Sequence, residues 1–364
     1  MKLTKYILLG GLGLLSLASC KKDFLDVTPT ANLSNKDAEA TEPGIVGLVN
    51  GLHNMMYMYD FGQVFSYGFP SMNVQLDMLG DDGINTKPAY HMATYRWQDH
   101  RDRTDTDKNL TYKAWDGYYT LILHANKAIA GYRTILPEEE RKHVATRYAY
   151  GEALAIRAYA YHQLVQLFAK RYRAATAATD LGVILRTDQD QSKQFEPMAR
   201  STVAETYKQI EEDLKESLDV LKGLEQATDR NHLRYSTVCG IAARVALCKE
   251  DWAAAEDYAT QAIQKSNSRL AKGEELIDGF NNYKAPEWMW GYHQSDTQDT
   301  GWGSFSVAYS YNVAGHNISL RYAINRDIYD QLGSGDVRRK WWVCLDRGDQ
   351  VPKDAYSVYF AMNG

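Results

Sequence analysis

The stretch from Tyr148 to Tyr161, YAYGEALAIRAYAY, constrains the fold more than any other part of the chain. Ala149, Gly151, Ala153, Ala155, Ala158 and Ala160 are small, so neighbouring helices can approach this one closely. Leu164, Leu167 and Phe168 extend an apolar face, and the spacing predicts a helix from about Pro137 to Ala169. Such an element belongs among other helices.

The flanking sequence supplies them. Trp115, Tyr118, Tyr119, Ile122 and Ile129 form a helical stripe over about Tyr112 to Thr134. An earlier helix is expected from Pro43 to Tyr59, with Thr41 as its cap. Ser201 is expected to cap another, in which Val203, Tyr207, Ile210, Leu214 and Leu218 recur at spacings of three and four. Val238 to Lys249 reads as helix, and Asp251-Trp252 opens one more through Ile263. These short, Ala-rich antiparallel pairs resemble tetratricopeptide (TPR) repeats, though without a strict repeat period. The expected fold is mainly all-α: TPR-like helix pairs in a superhelical arrangement, with long irregular loops and little strand.

Two regions lack helical periodicity. Asp60 to Asn109 is interrupted by Gly62, Gly68, Pro70, Gly80, Gly83 and Pro88, and loops of that length are usually functional. Glu287 to Ala314 is rich in Trp, Tyr, Gly and Ser. Within it, alternation of Trp288, Trp290 and Tyr292 suggests a strand with one aromatic face, for which packing on the core is the plainer reading. Asn317 to Leu332 is expected to be one further helix, and Leu181 to Leu185 a short extended insert.

The N-terminus reads MKLTKYILLGGLGLLSLASC. Lys2 and Lys5 precede an uncharged, largely apolar run from Tyr6 to Ala18. As a helix that run reaches roughly 20 Å, short of a hydrocarbon core of about 30 Å. Residues 1–19 therefore read as a signal peptide rather than a membrane span. Leu17-Ala-Ser-Cys20 resembles the bacterial lipobox, in which the cysteine becomes the lipidated N-terminus. Lys21 to Asn35 reads as a tether.

The chain carries 41 basic and 46 acidic side chains, a net charge of −5. Loss of Lys2 and Lys5 makes it more acidic, and no basic stripe remains, so nucleic acid is not an expected partner. Cys239 and Cys248 fall on opposite faces of one helix about 13 Å apart, which forbids a bridge between them. No nucleophile elbow, zinc-protease, P-loop or dinucleotide motif occurs, so no catalytic residue is assigned. His91, His100, His293 and His316 show no metal-ligand spacing, and no metal site is assigned. A structural calcium held by Asp81-Asp82, or by Asp102, Asp105 and Asp107, is the one cofactor considered, and a solvated acidic loop is the plainer reading.

Several segments in order are similar to the SusD/RagB family of outer-membrane nutrient-binding lipoproteins of Bacteroidetes. They are Cys20-Lys-Lys-Asp-Phe-Leu-Asp26, the helix from Trp115 to Asn126, and Gly151-Glu-Ala-Leu-Ala-Ile-Arg157-Ala-Tyr-Ala-Tyr161. Gly182-Val-Ile-Leu185 follows, with Ile184 where the family has proline, then Arg200 to Leu214, and Asp336-Val-Arg338. The resemblance implies no enzymatic activity. It implies a lipoprotein on the outer membrane, facing outward, that binds glycans on irregular loops and passes them to a SusC-like TonB-dependent transporter. The TPR-like face is the expected transporter contact. On this basis residues 20–230 form the N-terminal region with the TPR-like helices, and 231–364 a C-terminal region. Family members continue past Asp336-Val-Arg338, so that region is expected to be incomplete. A TPR-like protein scaffold, or a binder of peptides or glycopeptides, is the alternative.

Sugar rings stack their C–H faces on indole and phenol rings while their hydroxyls bond to polar side chains. The chain has 26 Tyr and 8 Trp against 9 Phe, a bias toward aromatics with a polar edge. Trp97, Trp302, Tyr292, Tyr309, Asp82 and Arg96 are the glycan-binding candidates, and Cys20 the lipidation site.

Overall fold

The computed structural model describes residues 39–58, 68–85, 92–99, 101, 110–193, 196–224, 230–278, 282–292, 322–343 and 360–362. Cys20, Trp302, Tyr309 and the second acidic cluster lie outside the described residues. The principal helices are α1 (Glu42–Met58), α2 (Gly68–Asp77), the single turn α3 (Met92–Tyr95) and α4 (Leu110–Ala130). After α5 (Glu138–Arg141) come α6 (Val144–Phe168), α7 (Val203–Leu221), α8 (Tyr235–Cys248), α9 (Trp252–Lys265) and α10 (Arg326–Gln331).

The α6 helix is the core. Residues 148 to 158 are buried without a break, because α4, α7 and α1 each pack against it. Its small side chains set how close they come. A Cβ on Gly151 would meet Leu221 Cδ2 at 2.8 Å, so the end of α7 rests directly on that glycine. The α7 helix buries Val203, Tyr207, Ile210, Leu214 and Leu218 as their spacing required, but its cap is Thr202 rather than Ser201. Thr202 Oγ1 accepts from the Glu205 amide at 3.1 Å, and Glu205 accepts from the Thr202 amide at 2.7 Å. The glutamate three residues on decides between two adjacent hydroxyls.

The pairs α6–α7 and α8–α9 give the TPR-like arrangement. In the second pair Ala255 and Ala262 are the buried face of α9, and Asp251 caps it through the Ala254 amide at 3.1 Å. Cys239 is buried, Cys248 half-buried, and both are free thiols.

Four further expectations change. The helix expected from Pro137 to Ala169 is broken at Lys142–His143, where His143 is extended, into α5 and α6. The Asp60–Asn109 region contains α2, whose Pro70 occupies the first turn where a missing N–H costs nothing. Trp288 to Tyr292 is not a strand. Its backbone makes isolated bonds, such as Gly291 N–H to Arg230 O at 3.0 Å, without a ladder. Within Asn317–Leu332, the described part is strand β2 (Tyr322–Ile324) followed by the short α10, capped by Asn325. With β1 (Gly83–Asn85), β3 (Trp342–Val343) and β4 (Phe360–Met362) it forms a small sheet of order β1-β2-β4-β3. The β1–β2 pair is antiparallel and the other two are parallel.

Candidate functional site

The residues that carry the family resemblance build an internal brace. Arg157 on α6 binds both Asp213 oxygens on α7 at 2.8 and 2.7 Å. Its third nitrogen donates to Asn126 of α4 at 2.7 Å and to Asp188 at 2.9 Å. Burial opposes charge on Arg157, but Asp213 and Asp188 outweigh it and raise its pKa. Burial likewise pushes the Asp213 carboxyl up against the pull of Arg157. We assign the pair as ionised, because guanidinium holds its proton in any protein environment.

The extended insert is fastened by the same helices. Tyr161 donates its hydroxyl proton to Arg186 O at 2.5 Å, and Asn126 Nδ2 donates to the same oxygen at 2.9 Å. Tyr119 donates to Ile184 O at 2.8 Å and accepts the Ile184 amide at 2.9 Å. These groups are spent on structure.

The exposed chemistry lies elsewhere, at the corner formed by α2, α3 and the start of α4. The α3 turn ends in a Schellman closure: Gln98 N–H reaches Ala93 O at 2.8 Å and Trp97 N–H reaches Thr94 O at 2.9 Å. The residue at the turn is Trp97, with φ of 58°, a left-handed conformation that favours glycine. Glu250 adopts the same conformation between α8 and α9, where it reverses the chain. At Trp97 the result is different: a large indole, 55% exposed, projects from a strained turn.

A cavity of about 320 Å³ adjoins this turn, lined by Thr94, Asp99, Leu79, Leu110 and Phe168 among others. Thr94 donates its hydroxyl proton to Asp99 in its wall. The α3 turn packs on β1, and Asp82 and Arg96 are both exposed on this corner. The Asp81 and Asp82 carbonyls accept from Asn325 at 2.9 and 2.8 Å, leaving their carboxylates outward. Burial, then the charge of Asp82, raises the Asp77 carboxyl.

Tyr292 belongs to another surface. Its ring stacks on Tyr57 of α1 at 3.9 Å and 12°, and Trp290 beside it meets His53 and Tyr159 edge-on. Thus Trp97, Arg96 and Asp82 are attached to the α2–α3–β1 corner, and Tyr292 to α1. Sequence reasoning did not single out Thr94 and Asp99; their five-residue separation across a turn is too common a pattern to mark them.

One set of metal-type donors exists among the described residues: His53, Glu152 and His232. Their sequence separations, 99 and 80 residues, form no local motif.

A helix-pair scaffold braced from within and carrying exposed aromatic and polar residues on its loops defines a fold of the TPR-like helical class. Residues 23–247 match the SusD-like family described as starch-binding and associating with the outer membrane, and the chain belongs to that family. A SusD-like carbohydrate binding protein from Bacteroides vulgatus is similar in structure, with a TM-score of 0.69 at 20% identity, covering 83% of this chain and 60% of its own. A surface glycan-binding protein A from Bacteroides fluxus has a TM-score of 0.60 at 18% identity, covering 86% and 66%. A laminarin binding SusD-like protein reaches 0.52 at 16% identity, covering 68% and 50%. The chain thus spans between half and two thirds of the length of these relatives. No curated protein matches the sequence. No helix among the described residues is long and apolar enough to cross a membrane.

Proposed function

We propose that this chain captures glycans at the cell surface and delivers them to a TonB-dependent transporter, without catalysing a reaction. The observation that carries the reading is Trp97, an exposed indole held in a left-handed turn beside a cavity with polar groups in its wall. An exposed indole on the same turn as Arg96, with the Asp99 carboxylate in the wall of the adjoining cavity, supplies the mixture of ring and polar groups that recognises a sugar. The solved relatives named for carbohydrate, glycan and laminarin binding support the same class of ligand. Asp82 is the second polar candidate on this corner, Trp302 and Tyr309 are candidates for further ring contacts, and Tyr292, one face of which lies on Tyr57, is a candidate only through its other face.

A glycan array on the full chain, followed by titration calorimetry on the hits, tests this. Trp97→Ala is expected to weaken the best hit by about 1 to 3 kcal/mol. An array without hits would favour the protein scaffold, and undiminished affinity would move the site away from Trp97.

The scaffold reading has its own support and fits the transporter contact. Leu247, Trp252 and Ile263 expose large apolar side chains on the α8–α9 pair. Anchoring to the outer membrane through lipidated Cys20 completes the proposal. Cys20→Ala is expected to move the protein from the membrane fraction to the soluble one, and unchanged sedimentation would sink the anchor.

A further inference from the structure

Glu152 lies on the buried face of α6, and two other elements converge on its carboxylate. His53 Nε2, from α1, is 2.9 Å from Oε1. His232 Nδ1, from the segment entering α8, is 3.0 Å from Oε2 and 3.2 Å from Oε1. The Leu233 amide donates to Oε1 at 2.7 Å. The imidazole rings stand 4.9 Å apart at 70°, and Trp290 and Tyr148 close the sides edge-on.

A buried carboxylate is costly unless its charge is answered. Arg157, five residues further along α6, is committed to Asp213 and Asp188. The remaining partners of Glu152 are two imidazoles and one amide. His53 is buried, and its Nδ1 has no hydrogen-bond partner among the described residues. The polar contact of that ring therefore runs through the nitrogen aimed at Glu152.

Two imidazole nitrogens and one carboxylate oxygen, all within 4.8 Å of one another, form a donor set for a borderline divalent ion. Calcium and magnesium prefer all-oxygen sites. Metal–ligand bonds of about 2.0 Å in a tetrahedron place donors about 3.3 Å apart. The contacts to Glu152, 2.9 to 3.2 Å, are already near that spacing. His232 is one-third exposed and provides the entry side.

We propose that His53, Glu152 and His232 form a zinc-binding site that clips α1 and the segment entering α8 onto α6. Because the three ligands come from distant parts of the chain, the ion binds the folded state and stabilises it by mass action. The site is independent of the glycan reading.

The test uses the purified full chain, stripped with a chelator and re-equilibrated with Zn2+. Elemental analysis is expected to find about one ion per chain, with a rise in the thermal midpoint. Substitution by Co2+ is expected to give the visible absorption of four-coordinate nitrogen and oxygen ligation. His232→Ala and Glu152→Gln are expected to lower Zn2+ affinity more than about 100-fold. His143→Ala, at an exposed histidine elsewhere, should keep it. A wild-type chain that retains no Zn2+ and gives no Co2+ bands overturns the proposal, leaving a hydrogen-bonded His–Glu–His contact. Equal Zn2+ retention in a folded His232→Ala variant overturns it as well.

Discussion

Arg157 and Asp213 meet through two parallel hydrogen bonds, 2.8 and 2.7 Å long, in a site closed to water on α6 and α7. Removing the arginine would leave Asp213 with only Gln209, at 2.9 Å, as a side-chain donor in a buried position. Asp188 would still hold Arg133 at 3.0 Å. Arg157→Ala is therefore expected to cost about 3 to 5 kcal/mol, most of it the isolation of Asp213. Urea denaturation followed by circular dichroism measures this; a loss below about 1 kcal/mol would show that the pair is not the brace described here.

Trp97 separates stability from binding. Its left-handed backbone is one that glycine adopts freely, so Trp97→Gly is expected to raise folding stability by up to about 1 kcal/mol while weakening glycan binding. Chemical denaturation and calorimetry on the same preparation read the two effects. A variant that loses both would mean that the indole supports the fold.

Ile184 occupies the position where the resembled family has proline. Its N–H donates to Tyr119 at 2.9 Å, a bond that proline cannot make. Ile184→Pro is expected to cost about 1 kcal/mol, with part of the loss shared with Tyr119→Phe. A double-mutant cycle checks this, and full additivity would contradict the pairing.

His162 is expected to govern part of the acid sensitivity. Burial, with the charge of Arg244, pulls its pKa down to about 4 from an ordinary 6.5. Below the unfolded value the unfolded chain takes up a proton that the folded chain refuses, so stability falls as pH drops from 6.5 toward 4. The full effect is about 3 kcal/mol, present above that window and lost at its acid end. Urea midpoints of wild type and His162→Gln across this range measure it. A slope as steep in the variant would assign the acid sensitivity to other groups.

The helices were legible because helical order is local. Val203, Tyr207, Ile210, Leu214 and Leu218 are buried in α7 where their spacing placed them, and the small residues of Tyr148 to Tyr161 led to a central helix. Hydrogen bonds that reach only four residues leave their period in the sequence. The Gly, Glu and Arg of the signature were also legible, but as a motif without a mechanism. Only the fold joined Gly151 to Leu221, Glu152 to His53 and His232, and Arg157 to Asp213.

Strands and sites depended on partners far along the chain. Gly83 pairs with Ile324, and nothing within either segment specifies the other. The α2 helix was hidden because Gly68 and Pro70 read as breakers until Pro70 took the first turn. Tyr292 and Trp97 were both candidates as aromatics in loops, with core packing the plainer reading for Tyr292. Packing separated them, by laying Tyr292 flat on Tyr57 and by closing α3 with Trp97 left-handed and exposed. The sequence alone determined a helical scaffold and the family it resembles. The tertiary structure decided which polar and aromatic groups brace that scaffold and which face outward, because burial is a property of the assembled fold, not of local spacing.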